Sequence, residues 1–140
     1  MIYLSFSNME ITKEFTIDLA HRLSNHPAKC INVHGHTYKI QVTIKWDIDK
    51  ETGMVMDFGE FKKVKDRCNE YRDHRYLYKR WEWVWEYLSN EWFNVYEFAY
   101  EPTAEYMALY LKDIVAKLYT IKEENITIRI YETPTSYAQA

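Results

Sequence analysis

Three histidines carry the sharpest chemical signal: His21 ends one alternating segment, and His34 and His36 open the next. Two imidazoles spaced i, i+2 on a strand point the same way, and a third delivered by a paired neighbour completes a cluster. Three neutral imidazoles leave the fourth position of a tetrahedral zinc open, the pattern of catalytic rather than structural sites. The plainer alternative is three separately hydrogen-bonded core histidines, and convergence on one paired face argues for the metal instead. Cys30 lies four residues before His34. A thiolate near a divalent cation can serve as a base or nucleophile. It could equally be a fourth zinc ligand or an inert loop thiol, and sequence position leaves these three open. Asp73-His74 sets a carboxylate beside an imidazole, a pairing that suits a proton relay or simply a helix end where a charged imidazole meets the negative pole. Glu132 closes an otherwise apolar strand face of Ile126, Ile128 and Ile130. A carboxylate there must be paired or meet a ligand, and the N–H and amino edge of a heterocycle is a natural partner. Cys68 is assigned to core packing, and His26 receives no role.

The elements that position these groups follow from periodicity. Phe15, Ile17, Leu19 and His21 alternate with Thr16 and Asp18, which predicts a half-buried strand. His34, His36, Tyr38, Ile40, Val42, Ile44 and Trp46 alternate with Thr37, Lys39, Gln41, Thr43 and Lys45, a nearly perfect period of two. Residues 22–33 form the connection, so an antiparallel pairing brings His21 beside His34 and His36. Asp47–Gly53 is a turn. Asp57-Phe58-Gly59-Glu60 resembles a capping box and opens a helix whose stripe is Phe58, Phe61, Val64, Cys68 and Tyr71. Pro102-Thr103 begins a second helix with Glu105 at its positive end and Met107, Tyr110, Ile114 and Leu118 as its stripe. A strand with Ile126, Ile128, Ile130 and Glu132 on one face follows, and Ser136–Gln139 returns as a short edge strand. The order predicts an α+β fold: an antiparallel sheet with two main helices on one face.

Composition bounds the function. The chain has 140 residues, enough for one domain with its own core. Eighteen basic residues against 21 acidic ones exclude a nucleic-acid or anionic-membrane footprint, and no apolar run is long enough to span a bilayer. Met1–Ser7 lacks a cationic start and a small-residue cleavage site. With only two cysteines, the expectation is a cytoplasmic protein with reduced thiols. Three glycines and three prolines exclude a Gly-rich phosphate loop. Aromatic residues make up 17% of the chain, and many of them lie between Tyr76 and Tyr100.

Taken together, Ala20-His21-Arg22-Leu23 and Cys30-Ile31-Asn32-Val33-His34-Gly35-His36 resemble the 6-pyruvoyl-tetrahydropterin synthase superfamily. Gly53-Met54-Val55-Met56-Asp57-Phe58, Asp73-His74-Arg75, Pro102-Thr103-Ala104-Glu105 and Glu132-Thr133-Pro134-Thr135-Ser136 follow in family order. The likeness runs from about Phe15 to Tyr137. The short gap between Cys30 and His34 resembles the 6-carboxy-tetrahydropterin synthase branch, which serves queuosine and other 7-deazaguanine pathways.

The resemblance implies a single tunnelling-fold (T-fold) domain over residues 1–140 and homo-oligomers with active sites at subunit interfaces. It implies zinc on His21, His34 and His36, polarising the side-chain hydroxyls of 7,8-dihydroneopterin triphosphate. Cys30 would be the general base, Asp73 and His74 a second relay, and Glu132 the pterin anchor with Thr133 beside it and Thr103 as a further contact. The implied products are 6-carboxy-5,6,7,8-tetrahydropterin, acetaldehyde and triphosphate. A 6-pyruvoyl-tetrahydropterin synthase and a non-catalytic pterin-binding module with structural zinc are the alternatives. Residues 75–101 form an aromatic-rich insert longer than the family pattern. Trp81, Trp85, Leu88 and Trp92 are spaced i, i+4, i+7, i+11, which predicts a helix packed over the two main ones or turned toward another subunit.

Overall fold

A computed structural model describes residues 8–140; Met1–Ser7, on which the reading of the N-terminus rests, and the side chain of Tyr71 lie outside the described residues. The regular elements follow as β1 (Met9–His21), β2 (His34–Trp46), α1 (Lys62–Tyr71), β3 (Arg75–Lys79), α2 (Val84–Asn90), β4 (Val95–Phe98), α3 (Ala104–Tyr119), β5 (Ile126–Thr133) and β6 (Ser136–Gln139). The six strands form one sheet in the order β4-β3-β1-β2-β5-β6.

The alternating segments behave as their period demands. β1 and β2 pair antiparallel from Met9 opposite Trp46 to His21 opposite His34, and β2 pairs antiparallel with β5. Their apolar faces (Ile17, Tyr38, Ile40, Val42, Ile44, Ile128) are buried against α1 and α3. Each such aliphatic side chain contributes about 1.5–3 kcal/mol relative to exposure. β6 pairs with β5 as the expected edge strand.

Three details depart from expectation. The sheet is mixed, because β3 joins β1 in parallel and β4 joins β3 in parallel. The insert is therefore a strand-helix-strand unit, with a helix of seven residues instead of a continuous aromatic one. Trp81 and Trp92 sit at φ 70° and 64°, outside helical geometry, and are 91% and 93% exposed. α2 covers the face opposite α1 and α3, packing on Tyr76 and Tyr78. In α3 the buried face is Ala104, Met107, Ala108, Leu111 and Val115; Tyr110, Ile114 and Leu118 flank it.

The start of α3 follows its sequence signal, while the expected capping box before α1 does not close, because the Glu60 side chain pairs with Lys63 and α1 itself has no side-chain cap. Thr103 caps α3 by accepting from the Tyr106 N–H at 3.3 Å. Asp57 accepts from the Gly59 N–H at 2.6 Å and starts a 3-10 turn that runs into α1. Phe61, Val64 and Cys68 of the expected stripe are buried, while Phe58 is exposed. No helix among the described residues is long and apolar enough to cross a membrane.

Candidate metal centre and pterin site

The register that places His21 opposite His34 also fixes the site. His21, His34 and His36 meet at the end of the β1–β2 ladder, with ring centroids 4.6, 5.0 and 5.5 Å apart. One candidate ligand atom from each of them, together with a Glu132 carboxylate oxygen, falls within 4.8 Å of all the others. β5 delivers Glu132 because Ile130 pairs with Ile40 and Tyr131 with Lys39, a register that carries residue 132 level with Tyr38, two residues from His36. Gly35 lets the strands close: a Cβ there would stand 3.1 Å from the Leu19 carbonyl oxygen.

Second partners set the tautomers. A carbonyl can only accept, so His21 Nδ1–H donates to the Pro102 oxygen at 2.6 Å and His34 Nδ1–H donates to the Asn32 oxygen at 2.8 Å. Each ring then turns its Nε2 lone pair to the cluster, the orientation that carbonyl-bound metal histidines adopt. Tyr38 OH lies 3.2 Å from His21 Nε2 and donates to it. Burial, the largest cause, lowers the His21 pKa against the Pro102 bond, with the neighbouring imidazoles assisting, and so favours the neutral ring a metal requires. Burial and then the Glu132 carboxylate push the Tyr38 hydroxyl far up, so it stays a donor.

His36 Nε2 is the informative atom. It is buried and lacks a hydrogen-bond partner, although Glu132 Oε1 lies 3.1 Å away. The nitrogen therefore has a charged neighbour and no bonded one. A buried ring nitrogen with no hydrogen bond, facing two further imidazoles and a carboxylate, fits a ligand to a divalent cation. The carboxylate beside the three imidazoles belongs to Glu132, which the sequence marks as both a catalytic and a substrate-binding candidate. The signal was present in its isolation on an isoleucine face.

Cys30 occupies a 3-10 turn over Lys29–Ile31 and is half-buried. It lies outside the four-atom group. Asp73 and His74 form a separate group with Asp18 on the other face of β1. Asp73 accepts from the Asp18 N–H at 2.9 Å, and His74 Nδ1–H donates to Asp73 at 2.8 Å. The Asp73 bonds raise the His74 pKa. Desolvation opposes ionisation of Asp73, yet the Asp18 N–H and the His74 ring hold it below the usual carboxylate range. His74 takes a left-handed φ of 55°, an uncommon state for a non-glycine residue, at the junction of α1 and β3. The dyad and the histidine cluster are thus not one group, but His36 and His74 line the same cleft of about 740 Å³, with Gly35, Tyr76 and Trp92 among its walls. Thr133 is exposed and accepts from the Thr135 N–H; Thr103 is engaged as the α3 cap.

A mixed α+β sheet ending in a three-histidine, one-carboxylate cluster defines a T-fold protein with a candidate metal centre. The chain belongs to the 6-pyruvoyl tetrahydropterin synthase family, whose match covers residues 10–140. It is 35% identical to the 6-carboxy-5,6,7,8-tetrahydropterin synthase of Haemophilus influenzae, over 93% of this chain and 96% of that one. It is 33% identical to the protein of the same name from Rickettsia bellii, over 94% and 99%. The solved 6-pyruvoyl tetrahydropterin synthase of Plasmodium falciparum shares the fold with a TM-score of 0.74 at 17% identity, covering 96% of this chain and 97% of that one. An uncharacterized protein from Wolinella succinogenes superposes with a TM-score of 0.80 at 20% identity, over 94% and 97%.

Proposed function

We propose that this chain is a zinc-dependent 6-carboxy-5,6,7,8-tetrahydropterin synthase, a lyase that converts 7,8-dihydroneopterin triphosphate to 6-carboxy-5,6,7,8-tetrahydropterin, acetaldehyde and triphosphate. The product would enter queuosine or another 7-deazaguanine route in the cytoplasm. The observation that carries the reading is the set of three imidazoles at one ladder end, two with tautomers set by carbonyls and the third with an unbonded buried nitrogen. Two full-length relatives of that name, at 35% and 33% identity, support the carboxy branch.

His21, His34 and His36 would hold the zinc, which when bound would supply Lewis-acid polarisation of the substrate's side-chain hydroxyls. The protein's own groups do the rest. Cys30, on its short turn, takes the side-chain proton as general base. Asp73 orients His74 through Nδ1, which leaves His74 Nε2 to carry a proton to or from the reacting carbon chain. Glu132 has two acceptor oxygens, enough for the N–H and amino edge of a pterin, with Thr133 and Thr103 as neighbouring contacts. The dyad lies on the opposite face of β1 from the histidines, which suits a homo-oligomer whose sites form at subunit interfaces. Residues 1–140 act as a single domain in this scheme.

The test is product analysis. Zinc-loaded protein incubated with 7,8-dihydroneopterin triphosphate is expected to release one acetaldehyde per pterin, with about one zinc per chain. Cys30→Ala should keep its zinc and lose turnover by a factor of about 10² or more. A 6-pyruvoyl product without acetaldehyde would move the chain to the pyruvoyl branch. Full activity in Cys30→Ala would remove the thiol from the role of base.

A further inference from the structure

The insert between Arg75 and Glu101 is the one stretch that the family likeness leaves without a role, and two of its carboxylates reach back to the loop that carries Cys30. Glu82 is buried, its side chain only 3% exposed. Its Oε1 accepts from Arg22 Nη1–H at 2.6 Å and from Tyr76 OH at 3.2 Å. The same Arg22 uses Nε–H to hold the Ile31 carbonyl at 2.8 Å, and the Leu23 N–H holds the Cys30 carbonyl at 2.8 Å. The turn around Cys30 is therefore tied on both sides to residues 22 and 23, and Arg22 is tied to the insert. At the insert's far end, Glu101 accepts from the Ser24 backbone N–H at 3.1 Å and from Ser24 Oγ–H, while Lys79 Nζ lies 3.1 Å from it.

Stability does not account for Glu82. A buried ion pair is usually no better for stability than apolar residues of the same volume, and Glu82 Oε2 has no hydrogen-bond partner among the described residues. Orientation does account for it. Arg22 presents a planar fork whose two edges are fixed at once, one on the carboxylate and one on the turn's carbonyl.

We propose that Glu82 is a positioning residue for Cys30: through Arg22 it fixes the Lys29–Ile31 turn and hence the place of the thiol. The inference rests on the role of Cys30 as base given above, and it makes the insert a brace for the active-site loop.

Glu82→Gln tests this with little change in volume. Replacing a charged acceptor by a neutral one weakens the Arg22 bond enough for about a tenfold change in local opening. Amide exchange at Leu23 and alkylation of Cys30 by iodoacetamide are each expected to quicken about tenfold. Cys68 stays silent because it is 2% exposed and burial pushes its thiol up to about 11. Turnover should fall about tenfold with KM within about twofold and zinc content unchanged. Arg80→Gln, which removes the insert's exposed ion pair with Glu97 and leaves Arg22–Glu82 intact, should stay within about twofold in all of these measurements. Parent-like exchange and alkylation in Glu82→Gln would overturn the proposal. Neither measurement needs substrate, so loss of the clamp is distinguishable from failure of Cys30 as the base.

Discussion

Tyr38→Phe should affect the metal-free and metal-bound proteins unequally, with a sign that geometry sets. Tyr38 is fully buried and its hydroxyl donates to His21 Nε2 at 3.2 Å. Because His21 Nδ1–H is committed to the Pro102 carbonyl, Nε2 is the ring's only lone pair, and a bound metal needs that same lone pair. In the metal-free protein, Phe removes one buried hydrogen bond, worth about 1 kcal/mol net. For a chain of this length that lowers the unfolding midpoint by about 4 °C. In the metal-bound protein the nitrogen keeps a partner either way, so the loss there is smaller. Linkage then requires zinc affinity to rise by the difference, up to about fivefold. Urea unfolding with and without chelator, paired with zinc competition against a chromophoric chelator, measures both sides of the cycle. Equal destabilisation of the two forms, or weaker zinc binding in Tyr38→Phe, would refute the placement of the metal on His21 Nε2.

Three further outcomes follow from other parts of the structure. Asp73→Asn should return the His74 pKa from its raised position to about 6.5, read from the imidazole proton shifts; a His74 titration that does not move would show that the dyad bond is absent in solution. The sign is fixed by linkage. The dyad's contribution to stability is complete between about pH 4 and pH 6.5, falls away as pH drops through the depressed Asp73 pKa, and falls away as pH rises through the elevated His74 pKa. Leu77→Ala, at a fully buried position of β3, should cost about 3 kcal/mol in denaturant unfolding, whereas a loss below about 1 kcal/mol would mean that the insert strand is not part of the core. Thr103→Ala removes the α3 cap and should cost about 1 kcal/mol, and a change in KM with unchanged stability would instead mark Thr103 as chiefly a pterin contact.

How much was legible in advance varies with the physics of each element. Alternation along Phe15–His21 and His34–Trp46 sufficed to pair β1 with β2 and to bring three histidines together, because one face of each strand is buried and a one-residue slip would turn every side chain outward. Ile126–Glu132 was readable for the same reason. The insert was not. Tyr76, Leu77 and Tyr78 are all buried because β3 is covered on both faces, by α1 and α3 on one side and α2 on the other. Alternation vanishes in such a strand, as it does in parallel sheets generally, and the helical spacing of Trp81, Trp85 and Trp92 then offered a false period.

Which further group stands beside the three histidines was likewise undecided until β5 lay beside β2. From order along the chain, Cys30 stood nearer the histidines than Glu132 did. Strand register, a property of hydrogen bonds between segments about ninety residues apart, put the carboxylate within reach and left the thiol on its turn. Residue type and local period therefore determined which chemistry was possible here: imidazole ligation, a thiol and a carboxylate. Which of these groups meet, and which loop the insert braces, depended on contacts between distant segments that no local pattern encodes.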